Sequence, residues 1–113
     1  GELKHGPIAL VEDQLLIIVI VPSPTQQQIL HEKIISNIQE VRARGGLILA
    51  IAVEDDYIIN EFANFVVRVP HLNALLQPIA SVIPLQVFAC EMATARGHDV
   101  DQPRNLAKSV TVE

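Results

Sequence analysis

The sequence predicts an α/β fold: a three-layer αβα arrangement built on part of a doubly wound parallel sheet. Three observations predict it. Leu15–Val21 (LLIIVIV) and Leu47–Val53 (LILAIAV) are short runs, apolar at every position and rich in β-branched residues, the pattern of strands covered on both faces. Between them the apolar residues change to helical spacing. A strand, a helix and a strand joined over this length form a right-handed βαβ unit.

Taken in order, Gly1–Pro7 (GELKHGP) is a charged, glycine-flanked opening without a methionine, and it leads us to expect that the chain is part of something longer. Ile8–Val11 is apolar, Glu12-Asp13-Gln14 breaks to a polar turn, and the first strand run ends at Pro22-Ser23-Pro24. Ser23 and Gln26 form a capping box around Pro24 at the first helical position. Leu30, Ile34, Ile38 and Val41 then fall on one helical face until Gly45-Gly46, and Gln27, Glu32, Lys33, Glu40 and Arg44 make a solvated face.

After the second strand run, Glu54-Asp55-Asp56 stands where a strand's carboxyl end meets a loop. Ligands gather at such ends in open α/β sheets, so these acids are candidates for holding a metal or acting as bases. The plainer reading is an N-cap and first-turn acids for a short helix from about Asp56 to Ala63. Phe65–Val69 is a third, shorter strand before Pro70. Leu75–Arg96 is a long helix, apolar around most of its circumference, with Pro84 expected to kink it. Ile79, Val82, Ile83, Val87, Phe88 and Met92 are expected to be buried, with Cys90 and Met92 as core filler. His31, His71 and His98 are read as surface or capping histidines. The polar tail Asp101–Glu113 (DQPRNLAKSVTVE) could not form a core alone.

Bulk properties narrow the function. The net charge of −5, with 8 basic against 13 acidic residues, gives no electrostatic footprint for nucleic acid or an anionic membrane. Aromatic residues are 4% of the chain and tryptophan is absent, which disfavours a base-stacking platform. The lone Cys90 excludes an intramolecular disulfide and a cysteine-based zinc site, and suits a cytoplasmic setting. The longest uninterrupted apolar run has 7 residues, against the roughly 20 that span a bilayer. No phosphate-cradling glycine loop, nucleophile elbow, CxxC pair or HExxH occurs.

What remains is polar chemistry at the two ends. His5, followed by Gly6-Pro7, can exchange protons near neutral pH. Lys108 carries a primary amine that can form an imine with a carbonyl sugar. These residue types alone leave open a merely solvated histidine and an ordinary tail lysine.

The strings GELKHGP (Gly1–Pro7), EVRARGG (Glu40–Gly46) and DVDQPRNLAKSVTVE (Asp99–Glu113) together resemble the carboxy-terminal end of the glucosamine-6-phosphate synthases, the glutamine:fructose-6-phosphate aminotransferases. The resemblance implies the second half of a sugar isomerase (SIS) domain over residues 1–100 and an active-site lid over residues 101–113. It implies a homodimeric, cytoplasmic enzyme in which a glutaminase domain supplies ammonia and SIS domains convert fructose 6-phosphate into glucosamine 6-phosphate. Within it, His5 assists opening of the sugar ring across the dimer, Lys108 forms the Schiff base, and Asn105, Leu106 and Ala107 contact the sugar. No metal and no cofactor are implied. The family's proton-transferring glutamate and phosphate-binding Ser/Thr loop match no residue of this chain, so the chain alone is expected to be inactive. A few extra residues relative to the family are expected around Val53–Asn64. The alternatives are a non-catalytic sugar-phosphate-binding SIS module and a structural dimerisation half-domain.

Overall fold

The computed structural model of the chain describes residues 2–102. Two successive 3-10 turns, Glu2–His5 and Pro7–Leu10, precede strand β1 (Leu16–Ile20), helix α1 (Gln28–Arg42) and strand β2 (Leu47–Val53); a 3-10 turn at Ile58–Glu61, strand β3 (Phe65–Val69) and helix α2 (Gln77–Ala95) follow. The strands form one parallel sheet in the order β1-β2-β3, with Ile17 opposite Ile48, Ile20 opposite Ile51, and Ala50 opposite Val66. All three predicted strands and both long helices are present.

The chain divides into two compact units, Gly1–Ser81 and Val82–Glu113. In the first, β2 is the buried strand: Ile48 and Ala50 through Val53 are almost wholly enclosed. Its alternate residues Ile48, Ala50 and Ala52 meet Ile38 and Val41 of α1 in a cluster that also takes in Val21 and Ile59. This is the period-2 face of a strand meeting the period-3.6 face of a helix.

β1 corrects one expectation. Its two ends, Leu16 and Ile20, are exposed at 42% and 47%, and only its middle is half-buried. An all-apolar run states that a strand has two apolar faces; it does not supply what covers them, and β1 lies at an edge of the sheet.

The start of α1 also differs in detail. Ser23 Oγ accepts the backbone N–H groups of Thr25 and Gln26, as a cap should, but the continuous helix begins at Gln28. Gln26 does not close the reciprocal half of a capping box; its side chain reaches across to the loop after β3. At the other end Gly45 has φ +85°, and an added Cβ would lie 2.5 Å from Asp13 Oδ1. At Gly46 a Cβ would meet Val41 Cγ1 at 2.7 Å and Ile17 Cδ1 at 2.9 Å, so the pair of glycines lets the α1–β2 turn lie against its neighbours.

α2 is continuous through Pro84. It is long and apolar enough, by length and composition, to cross a membrane. The burial expected of it is corrected: Ile79, Val82, Ile83, Val87, Phe88 and Met92 are exposed, as is Cys90, while the small Ala80 and Ser81 are buried. A helix apolar around its circumference cannot place every face on one neighbour. In the second unit the helix closes with Gly97 at φ +76°, the N–H of Gly97 donating to Thr94 O and that of His98 to Ala93 O, both at 2.9 Å. His98 is thus at a helix end, as expected.

Candidate functional site: the amino-terminal turn and the carboxyl edge of the sheet

His5 closes the 3-10 turn Glu2–His5 and is exposed. Two neighbours hold that turn. Leu3 packs against the core cluster, and Lys4 Nζ forms an ion pair with Glu40 Oε1 in the last turn of α1. In a 3-10 helix side chains three apart eclipse, so Glu2 and His5 share the remaining row, turned outward. The other predicted site residues, Asn105, Leu106, Ala107 and Lys108, lie outside the described residues.

A second polar group gathers at the carboxyl ends of the three strands. His71, after β3, has Nδ1 2.8 Å from Asp55 Oδ2, after β2. Its Nε2 lies 2.9 Å from Gln26 Nε2 and 3.4 Å from Ser23 Oγ, both after β1. The Gln26 amide also donates to Leu72 O at 3.1 Å, and the His71 N–H donates to Glu54 Oε1 at 3.4 Å. Because the Gln26 amide nitrogen can only donate, Nε2 of His71 is the acceptor and Nδ1–H donates to Asp55. His71 is thereby corrected from a surface histidine to the hub of three loops.

The order Ser23–His71–Asp55 is that of a nucleophile, base and orienting acid, yet Ser23 is 3% exposed and its Oγ already receives two turn amides. The arrangement therefore acts as a latch that joins the ends of β1, β2 and β3. α1 runs back from this edge toward the start of β2, so Glu40, and with it the His5 turn, lies toward the opposite end of the sheet. The two groups are not brought together.

The pair that sequence reasoning missed is His31 and Asp56. His31 Nε2 stands 2.9 Å from Asp56 Oδ2, with side chains 4% and 0% exposed. Asp56 Oδ1 also accepts the N–H groups of Ile58 and Ile59, heading the 3-10 turn Ile58–Glu61. The capping role read for Asp56 is therefore correct, whereas the surface reading of His31 is not. The signal was available: His31 is three residues before Ile34 and seven before Ile38, on the buried stripe, while Leu30 is 51% exposed. Arg68 of β3 completes the node, donating to Val53 O, Asp56 O and Asn60 Oδ1. Among the described residues no group of three or more His, Cys, Asp or Glu side chains is arranged to hold a metal ion.

Comparison with known proteins bears on the larger identity. All 113 residues align at 61% identity with the isomerizing glutamine–fructose-6-phosphate aminotransferase of Corynebacterium glutamicum, and at 61% with that of Streptomyces coelicolor. The chain spans 18% of the length of each of these curated relatives. Among solved structures, the C-terminal domain of glucosamine-fructose-6-phosphate aminotransferase from Francisella tularensis matches with a TM-score of 0.74 and 37% identity, over 91% of this chain and 28% of that one. These findings bear out the α/β fold class and the resemblance carried by the three strings. The model of the SIS domain matches residues 1–96, and the chain belongs to the SIS domain family.

Proposed function

We propose that this chain serves as the carboxy-terminal part of the isomerase region of a glutamine:fructose-6-phosphate aminotransferase, which makes glucosamine 6-phosphate from fructose 6-phosphate and glutamine-derived ammonia. The observation that carries the reading is the reach of the 61% identity: the alignment runs through all 113 residues, so it covers the tail as well as the SIS fold. In this reading the partners are a sugar phosphate, the remainder of the same enzyme and a second subunit, and the setting is cytoplasmic, with neither nucleic acid nor membrane involved.

Residues 1–100 form the SIS part and residues 101–113 the lid. His5 shuttles the proton that opens the cyclic sugar, a task suited to an imidazole near neutral pH. Its exposure on a turn leaves the ring free to reach a neighbouring subunit's sugar. The Lys108 amine adds to the opened carbonyl, and loss of water from the resulting carbinolamine gives the imine, while Asn105, Leu106 and Ala107 line the sugar. The exposed edge of β1 supports the need for the remainder of the enzyme, since an uncovered apolar strand edge calls for a partner.

Borohydride reduction of the full-length protein with fructose 6-phosphate, followed by peptide mass spectrometry, tests this directly. A reduced sugar adduct on Lys108 is expected. An unmodified Lys108 under turnover conditions sinks the imine role and leaves the non-catalytic sugar-phosphate-binding module in its place.

A further inference from the structure

We propose that Lys4, Glu40 and Leu3 are positioning residues for His5: a strut that fixes the Glu2–His5 turn on α1 so that the imidazole is presented outward in one orientation. The inference rests on the role proposed for His5 in ring opening.

The turn is short, and its four residues include no fully buried side chain. A single 3-10 turn has poor intrinsic stability, so its orientation must come from what its side chains hold. Leu3 is half-buried against the cluster centred on Ile38 and Val41. It fixes one row of the turn by apolar contact. Lys4 fixes a second row by its ion pair with Glu40, whose backbone belongs to the last full turn of α1. With two of three rows held, the third, carrying Glu2 and His5, has one direction left.

The glycine after His5 sharpens the need. Among the described residues Gly6 has nothing within 4 Å of an added Cβ, so a side chain at that position would find no support. The next backbone tie is the N–H of Ala9 to Gly6 O at 3.0 Å, which shapes the following turn and not His5 itself. Lys4 is therefore the nearest restraint on His5 along the chain.

Reversing one charge of the exposed pair replaces attraction by repulsion, so a loss of roughly 3- to 10-fold in kcat on the cyclic sugar is expected for Lys4→Glu or Glu40→Lys. The test uses the full-length enzyme with two substrates. Fructose 6-phosphate closes its ring through the C5 hydroxyl; 5-deoxyfructose 6-phosphate lacks that hydroxyl and stays open, so it bypasses the step His5 serves. Each single charge variant should lose kcat on the cyclic sugar and keep it on the open one, and the Lys4→Glu/Glu40→Lys double variant should recover. Leu3→Ala should follow the same pattern, and glutamine hydrolysis should be unchanged throughout.

Equal losses on both sugars, no loss, or no recovery in the double variant would overturn the strut. His5→Ala, run alongside, separates the two levels. If His5→Ala shows the cyclic-sugar defect and the charge variants do not, the strut alone falls. If His5→Ala handles both sugars at the normal rate, the ring-opening role falls and the strut with it.

Discussion

At the residue scale the weight of the described structure falls on Asp56. Its carboxyl group is buried, meets the buried His31 through one oxygen, and caps the Ile58–Glu61 turn with the other. Breaking such a pair from one side strands the remaining partner away from water. Asp56→Ala should therefore destabilise the fold by about 3 kcal/mol or more, whereas Asp56→Asn, which keeps an acceptor for the two amides, should cost about half that. Urea unfolding followed by circular dichroism measures both, and similar midpoints for the two variants would refute the capping half of the argument. Arg68 offers a contrast in geometry. Its guanidinium serves Val53 O, Asp56 O and Asn60 Oδ1 at once, so Arg68→Lys, with charge kept and fork lost, should still cost about 1–2 kcal/mol.

At the element scale, the α1–β2 turn depends on the absence of side chains. Gly46→Ala would push a methyl to within 2.7 Å of Val41 Cγ1 and 2.9 Å of Ile17 Cδ1, side chains already packed in or against the core cluster. A destabilisation of about 1–3 kcal/mol is expected, read as a lower urea midpoint with an unchanged slope. Gly45→Ala adds a positive φ to contacts with Asp13 Oδ1 at 2.5 Å and with the Asp13 backbone Cα at 3.0 Å. Its cost should also be about 1–3 kcal/mol, with backbone strain as the larger cause, read in the same unfolding experiment. The latch around His71 acts at the same scale, because it ties together three loops that the sheet alone leaves separate. Loss of it through His71→Ala should leave the sheet intact and raise amide exchange at Thr25, Gln26 and Leu72 specifically.

At the scale of the whole molecule, the free edge of β1 and the exposed face of α2 set what the chain does in isolation. Leu16, Ile20, Leu75, Ile79, Ile83 and Val87 all stand open. The isolated chain should self-associate or bind a hydrophobic dye. In the full-length protein, the β1 amides should gain protection from hydrogen exchange that they lack in the isolated chain. Equal protection of β1 in the two contexts would show that its edge is not a seam with other parts of the protein.

Much of this was legible beforehand because local pattern is a local property. LLIIVIV and LILAIAV read as strands, the helical spacing of Leu30, Ile34, Ile38 and Val41 marked the face turned to them although Leu30 itself is exposed, and the strings GELKHGP and DQPRNLAKSVTVE carried the family. Asp56 as a cap was readable too, since capping joins residues two and three apart. What the tertiary structure alone decided were pairings across long separations: His31 with Asp56, His71 with Asp55, Gln26 and Ser23, and Lys4 with Glu40. It also decided coverage, which left β1 half-exposed and the greasy face of α2 in the open. The physical reason is the same in each case. Periodicity tells which side of an element is apolar or polar, but a partner's identity depends on which elements the chain brings side by side, and no single segment contains that information.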